Sequence, residues 1–384
     1  MLLELTPDQE FFRDTTARFL QDRAPVAELR RLRDDAVGFE ADYWRRGAEL
    51  GWTSLLVGEG SGGGSISDVG LTDLTLVAHE FGRRAAPGPL IPTNIVAAML
   101  DTQMLDHSET DAHGEVLAAL LAGTSTAAWC FAEPRPNTRT GVPPLEIRVE
   151  GSEVVVNGTK RPVEAALTAD VLLVTGHTGD NVTQVLVPSS ASGVRVRPLQ
   201  SVDLTRRFAV VEFDDVRLPV TALVGRAGEA AGDVERARQL ALVISCAESV
   251  GAMQAAFDMT LEWAFDRYSF GRPLASYQEL KHRFADMKTW LEASHAITDL
   301  AAAAVAAGST EAAELTSAAK AYVGEYGAEL LQDCVQIHGG IGLTFEHDIH
   351  LFLRRTVANR SNYGTPAEHR QLIADIVDHQ EDTQ

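Results

Sequence analysis

The chain's hydrophobic and polar positions change rhythm twice. From Thr6 to about Leu120 the apolar residues recur at helical spacing, beginning with Phe11, Phe12, Ala17, Phe19 and Leu20. Thr6-Pro7-Asp8-Gln9 opens this stretch with an N-cap hydroxyl and a proline at the first helical position. From about Thr124 to Val224 the pattern becomes short β runs, at 153–158, 170–174, 183–187 and 208–213, punctuated by turn residues. No helix-length periodic segment lies between them, which predicts an antiparallel sheet. From Gly232 to about Asp378 long alanine-rich helical segments return, at 241–268, 277–307, 310–337 and 367–377. Small and aliphatic faces on long helices predict a bundle and buried helix–helix contacts between protomers. The fold class expected is α+β multidomain: an N-terminal helical domain (1–122), a middle antiparallel β domain (123–226) and a C-terminal four-helix bundle (227–384).

Composition narrows the function classes. Of 384 residues 45% are hydrophobic, so several cores can be built, and 54 acidic against 33 basic residues give a formal charge of −21. Long-range repulsion then opposes nucleic acid and anionic membranes as general partners. Cys130, Cys246 and Cys334 lie far apart with no C-x-x-C pair, which fits a reducing cytosol and excludes a zinc ribbon; no metal site is read. Met1 to Glu10 lacks the basic-then-apolar pattern of a leader, and no run approaches 18 uninterrupted apolar residues. The expected location is cytoplasmic, with no membrane span. The glycine run Gly58-Glu59-Gly60-Ser61-Gly62-Gly63-Gly64 lacks a following Lys-Ser/Thr and is read as a connection between helices, not a phosphate cradle.

Two segments carry more specific information. The first runs Asp266-Arg267-Tyr268-Ser269-Phe270-Gly271-Arg272-Pro273-Leu274 into Tyr277-Gln278 and Ala285-Asp286-Met287. The second is Gln336-Ile337-His338-Gly339-Gly340-Ile341-Gly342-Leu343, with Glu346 and the trailing Arg354-Arg355. In this order, and with the helix–sheet–helix rhythm, the chain resembles the acyl-CoA dehydrogenase family along essentially its whole length. The resemblance implies FAD as cofactor, an acyl-CoA thioester as substrate, an electron-transfer flavoprotein as acceptor and a homo- or heterotetramer. Such enzymes take a proton from the carbon alpha to the thioester and pass a hydride from the beta carbon to flavin N5. The cofactor supplies the redox step, and the protein supplies orientation, a base and electrostatics.

FAD in this family is shared between protomers, the flavin ring on one β domain and the adenosine and pyrophosphate on a neighbour's C-terminal helices. By resemblance Arg267 pairs with the pyrophosphate, its fixed cationic fork suiting a phosphate. Phe270 and Leu274 pack near the adenosine. Gln336, Gly339 and Gly340 allow close approach of backbone to the phosphates, and Thr365 joins the cofactor contacts. His338 is read as a structural residue.

The ring half departs from the family pattern. Where a Thr-Glu-Pro-Gly-x-Gly-Ser-Asp stretch is usual, the chain reads Ala132-Glu133-Pro134-Arg135-Pro136-Asn137-Thr138-Arg139. After Gly158-Thr159-Lys160-Arg161, Pro162 stands in place of a tryptophan and Glu164 in place of a hydroxyl, where a carboxylate would repel an anionic reduced ring. The usual base lies in a Tyr-Glu-Gly-Thr segment; here Asn362-Tyr363-Gly364-Thr365 puts Tyr363 there, with Arg370 at the expected distance. A tyrosine with an ordinary pKa of about 10 is a poor base at neutral pH. The minority position for the base falls on Ala241.

Glu248, seven residues further along the same helix and roughly 10 Å away, is a substitute base, weighed against a glutamate salt-bridged inside a subunit interface. Glu346 and Glu368 are weaker candidates, the first structural and the second facing solvent. Three readings stay open: a subunit of a heteromeric acyl-CoA dehydrogenase whose FAD sits only at the mixed interface; a self-sufficient homotetrameric dehydrogenase or oxidase with Glu248 as base; and a non-catalytic acyl-CoA-binding scaffold.

Overall fold

The computed structural model describes residues 4–106, 111–133 and 144–381. Six helices come first: α1 (Pro7–Arg23), α2 (Val26–Leu32), α3 (Ala41–Glu49), α4 (Gly70–Arg84), α5 (Leu90–Asp106) and α6 (Asp111–Leu121). At the start of α1, Thr6 Oγ accepts from the Gln9 N–H while the Gln9 side chain accepts from the Thr6 N–H. This reciprocal cap satisfies two of the helix's orphan donors. The glycine run connects α3 to α4 as read from the sequence, with one short 3-10 turn (Glu59–Ser61).

The middle region folds into one sheet: β1 (Ala127–Cys130), β2 (Glu146–Glu150), β3 (Glu153–Glu164), β4 (Val171–Thr178), β5 (Asn181–Pro188), β6 (Val194–Leu199) and β7 (Phe208–Pro219). The order is β1-β4-β2-β3-β7-β6, with β5 also paired to β4. Most pairs are antiparallel, but β1 runs parallel to β4, and β2 meets β4 in parallel at Glu146 and His177. The sheet is therefore mixed, since β1 enters from the N-terminal helices and is joined to β4 by a long excursion, not a hairpin. Pro162 falls within the register shift between Lys160 and Val163, where β3 pairs β7 irregularly. A proline has no N–H to give the ladder, so a break in pairing is its natural place.

Helices α7 (Ala231–Asp266), α8 (Gln278–Ala306), α9 (Ala312–His338), α10 (Ile349–Ser361) and α11 (Pro366–Glu381) complete the chain. A small hairpin, β8 (Tyr268–Ser269) and β9 (Arg272–Pro273), links α7 to α8. Two features differ from the sequence expectation: α10 falls in a stretch with no helix expected, and Tyr268 lies in the hairpin and not in α7. Helix α7 is long and apolar enough by composition to cross a membrane, but its apolar window is 94% buried inside the protein. It is the central core helix.

Helices α4 and α7 cross with almost no space between backbones. A Cβ at Gly82 would lie 1.8 Å from the Glu248 carbonyl oxygen, and one at Gly251 would lie 1.9 Å from the His79 carbonyl oxygen. Two glycines facing each other's helix let the axes approach, and this contact sets the height of Glu248 in the molecule.

Candidate active site and cofactor surface

The charged residues of greatest interest converge where the three regions meet. From α7, Glu248 (1% exposed) presents its carboxylate to α10 and to the loop before β7. Its Oε1 accepts from Arg355 Nη1 at 2.5 Å, and its Oε2 accepts from Arg206 and from Asn359 Nδ2 at 3.0 Å. Arg355 donates onward from Nε to Asp203 Oδ2 at 2.5 Å, and from Nη2 to the Ala86 carbonyl at 3.0 Å and Thr205 Oγ1 at 2.5 Å. Arg206 Nη1 donates to Asn359 Oδ1 at 2.9 Å. Burial alone would raise the Asp203 pKa, but the nearby guanidinium groups of Arg355 and Arg206 hold it below its ordinary value. Glu248 is thus salt-bridged, as one of its two sequence readings held, but to partners within its own chain and not across a subunit interface. Its neighbour in the argument, Ala241, is fully buried on the same helix.

Glu164, at the end of β3, faces the same cluster. Its Oε1 lies 3.3 Å from Arg206 Nε, yet neither carboxylate oxygen has a hydrogen-bond partner among the described residues. Burial pushes its pKa up, with Arg206 opposing and the negative charge of Glu248 adding to the rise. Tyr363 stands beside this group, its phenol pushed well above the ordinary value first by burial and then by Glu164. Its ring stacks on Trp129 (5.9 Å between centroids), which stacks on Phe131 at 4.6 Å. Two of the sequence's base candidates, Tyr363 and Glu248, are therefore brought into one site. Neither is a ready base there: one is a neutral phenol, and the other has both oxygens engaged by cations.

The segment carrying Tyr363 is pinned from three sides. Tyr363 and Gly364 both take positive φ, 60° and 108°. His369 Nε2–H donates to the Tyr363 carbonyl at 3.0 Å. Lys320, buried in α9, donates to the carbonyls of Asn359 and Asn362. Thr365 and Glu368 form a reciprocal cap at the start of α11, Thr365 N donating to Glu368 Oε2 at 2.7 Å and Glu368 N to Thr365 Oγ1 at 3.3 Å. Thr365 and the exposed Glu368 thus serve a helix end, and Arg370 reaches Glu325 on α9.

The pinning carries an acid-stability prediction. Burial lowers the His369 pKa to about 4 and that of buried His295 to about 3, from an ordinary 6.5. Both are neutral in the fold, so their stabilisation is complete above pH 6.5 and is lost progressively as pH falls from 6.5 to the folded values. At pH 4 the loss from each is on the order of 3 kcal/mol. Urea midpoints measured from pH 7 to pH 4 should fall steeply, and His369→Gln should flatten part of that fall.

On the β domain's near side, buried Lys160 donates to the Phe131 carbonyl at 3.2 Å and to Glu133. Residues Pro134 to Arg139 of the altered family stretch lie outside the described residues.

The second motif set lies on the opposite texture of surface. Phe270, at the tip of the β8–β9 hairpin, is 97% exposed with φ 51°, and Leu343 is 80% exposed. Gln336, Gly339 and Gly340 are exposed at the end of α9. Gly339 has φ 68°, and a side chain at either glycine would meet no atom of this chain within 4 Å. Arg267 is exposed with its guanidinium 5.8 Å from the Trp263 ring, which itself stacks on His338 at 5.3 Å. One tryptophan therefore links the two motifs. His338 Nδ1–H donates to the Cys334 carbonyl at 2.8 Å, in keeping with a structural role. Leu274 is half-buried against the helical core, and Glu346 is exposed, its carbonyl accepting from Arg30. An exposed cation beside open glycine backbone is chemically suited to the phosphates of FAD.

Sequence reasoning missed Asp203, Thr205, Arg206 and Asn359, and noted Arg355 only as a trailing residue. A signal was present: Asp203-Leu204-Thr205-Arg206-Arg207 places an acid and two arginines immediately before an apolar strand. A cavity of about 200 Å³ bounded by Arg23, Leu29, Leu32, Phe39, Tyr43 and Pro87 lies apart from both motifs.

Comparison with known proteins agrees with this architecture. The family description for the acyl-CoA dehydrogenase N-terminal domain matches residues 6–124, and that for the C-terminal domain matches 238–377. Acyl-CoA dehydrogenase IpdE2 of Mycolicibacterium smegmatis is 26% identical over 374 residues, covering 97% of this chain and 100% of that protein. Among solved structures, a variant of the Tcur3481-Tcur3483 steroid acyl-CoA dehydrogenase superposes with a TM-score of 0.87 at 23% identity, covering 97% of this chain and 98% of its own. A glutaryl-CoA dehydrogenase from Mycobacterium smegmatis in complex with FADH2 gives 0.83 at 20% identity, covering 97% and 95%. At these identities the structures speak for the fold. The two family matches together span most of the sequence, and the chain belongs to the acyl-CoA dehydrogenase family of FAD-dependent oxidoreductases.

Proposed function

We propose that this chain is a subunit of an acyl-CoA dehydrogenase that completes a neighbouring subunit's FAD site while hosting no dehydrogenation in its own. The observation that carries the reading is the contrast between its two half-sites. Arg267, Phe270, Gln336, Gly339 and Gly340 stand open on the surface. Glu164 and Glu248 are closed into a buried lattice with Arg206 and Arg355, with the half-buried Tyr363 beside it. Bound FAD supplies hydride acceptance from an acyl-CoA, and an electron-transfer flavoprotein takes up the electrons. In this chain Arg267 neutralises pyrophosphate charge, the glycines admit the phosphates to backbone N–H groups, and Phe270 and Leu274 cover the adenosine. Gln336 lies on the same exposed end of α9, whereas Thr365 caps α11 near Tyr363. The working unit is then a cytoplasmic heterotetramer, built on domains divided near 122 and 226.

Steroid and other bulky acyl-CoA thioesters are the substrate class favoured by the likeness to a steroid acyl-CoA dehydrogenase. The visible spectrum decides the reading. The chain purified alone should be colourless, and flavin absorbance should appear on co-expression with a second dehydrogenase subunit. In that complex Arg267→Ala should lower bound FAD at least tenfold. Stoichiometric flavin on the isolated chain, bleached by acyl-CoA, would overturn the proposal in favour of a homotetramer. Glu248→Gln would then tell whether Glu248 is its base.

A further inference from the structure

The buried lattice holds an odd number of charges. Asp203 and Glu248 balance Arg206 and Arg355 through hydrogen-bonded pairs. Glu164 is the third carboxylate. It is 7% exposed, its ion-pair partner among the described residues is Arg206, and neither of its oxygens accepts a hydrogen bond among those residues. Arg206 gives Nη1 to Asn359 and Nη2 to Glu248, and its remaining Nε, 3.3 Å from Glu164 Oε1, makes no hydrogen bond among the described residues. An ionised carboxylate in that position would be a buried charge without its usual acceptor bonds, which proteins avoid by neutralising the group.

We propose that Glu164 is a neutral carboxylic acid that plugs this chain's own ring-side site, sealed against Arg206 and Tyr363 by the balanced lattice. The groups facing it are Arg206 and Asp203 from the loop before β7, Glu248 from α7, Arg355 from α10, and Tyr363 after α10. Burial raises the Glu164 pKa in the same direction as the charge count demands. The inference rests on the reading that this half-site is closed, and it sharpens the comparison with the family. A glutamate at this position need not place a negative charge beside a flavin, because its charge is absent. The site is closed by an acid and a guanidinium in contact.

Infrared difference spectra of the purified chain test this without any cofactor. At pH 7 the wild type should show the carbonyl stretch of one protonated carboxylic acid, and Glu164→Gln should remove it. After transfer into D2O the band should shift slowly, on the time scale of local opening, because the plug is sealed. Urea midpoints of wild type and Glu164→Gln should coincide from pH 7 to pH 5. A wild-type spectrum without the band, or a band that survives Glu164→Gln, would overturn the proposal. So would an immediate deuterium shift, or a midpoint lowered by Glu164→Gln at pH 7. These readouts come from the isolated chain, so they succeed or fail separately from the flavin spectrum of a mixed complex.

Discussion

Arg355→Met is expected to destabilise the protein by about 3–5 kcal/mol, measured by urea unfolding at pH 7. Arg355 is fully buried and its guanidinium serves Asp203, Glu248, Thr205 and the carbonyls of Ala85 and Ala86 at once. Methionine fills similar volume but leaves two buried carboxylates short of a cation, and an uncompensated buried charge is the expensive outcome. The loss should therefore exceed what lost packing explains. Removing the carboxylates as well makes the distinction: Arg355→Met combined with Asp203→Asn and Glu248→Gln should recover a large part of the stability. If the triple variant is no better than the single one, the cost lies in packing or in the hydrogen bonds to Ala85 and Ala86, and not in stranded charge.

Gly251→Val is expected to be the second severe substitution, costing more than about 3 kcal/mol or abolishing soluble expression. Its Cβ would meet the His79 backbone carbonyl at 1.9 Å, and the reciprocal position Gly82 has its own Cβ direction blocked by the Glu248 carbonyl at 1.8 Å. Backbone cannot swing aside as a side-chain tip can, so α4 and α7 must separate. Separation would open a helix pair packed backbone to backbone and lift Glu248 away from Arg206 and Arg355. Gly82→Ala should behave similarly at smaller scale. Gly60→Ala is the control, since nothing of the chain lies within 4 Å of a Cβ there. A thermal melt of Gly251→Val near that of Gly60→Ala would show that the helices are not locked at this distance.

Much of the architecture was legible in the residue pattern because it is written locally. Thr6, Pro7 and Gln9 announce the start of α1 within four positions. Strands β3, β4, β5 and β7 contain the runs of valine, leucine and phenylalanine that marked them, since consecutive residues there are buried on both faces of the sheet. Strand β2, Glu-Ile-Arg-Val-Glu, and strand β6, with its two arginines, escaped notice because charged residues on an exposed face dilute the alternation. Helix α10 follows the glycine motif too closely for its short apolar pattern to separate. The parallel pairing of β1 with β4 was not readable at all, for strand direction depends on the route the chain takes between strands.

The candidate site divides along the same line. Sequence alone determined the family and, with it, the expected FAD surface, because Asp266–Leu274 and Gln336–Leu343 are contiguous segments whose spacing survives in one dimension. By the family resemblance it also set the expectation that Tyr363 stands at the usual base position and that Glu164 and Pro162 replace a hydroxyl and a tryptophan. Only the tertiary structure decided what Glu248 does. Its partners Arg355 and Arg206 lie 107 and 42 positions away in sequence, and Asp203 reaches Arg355 across 152. Whether a buried glutamate is a base or half of an ion pair depends on which cation the fold delivers to it. That delivery is the work of helix crossings at Gly82 and Gly251 and of one loop before β7, and such long-range juxtaposition leaves no mark on local residue spacing.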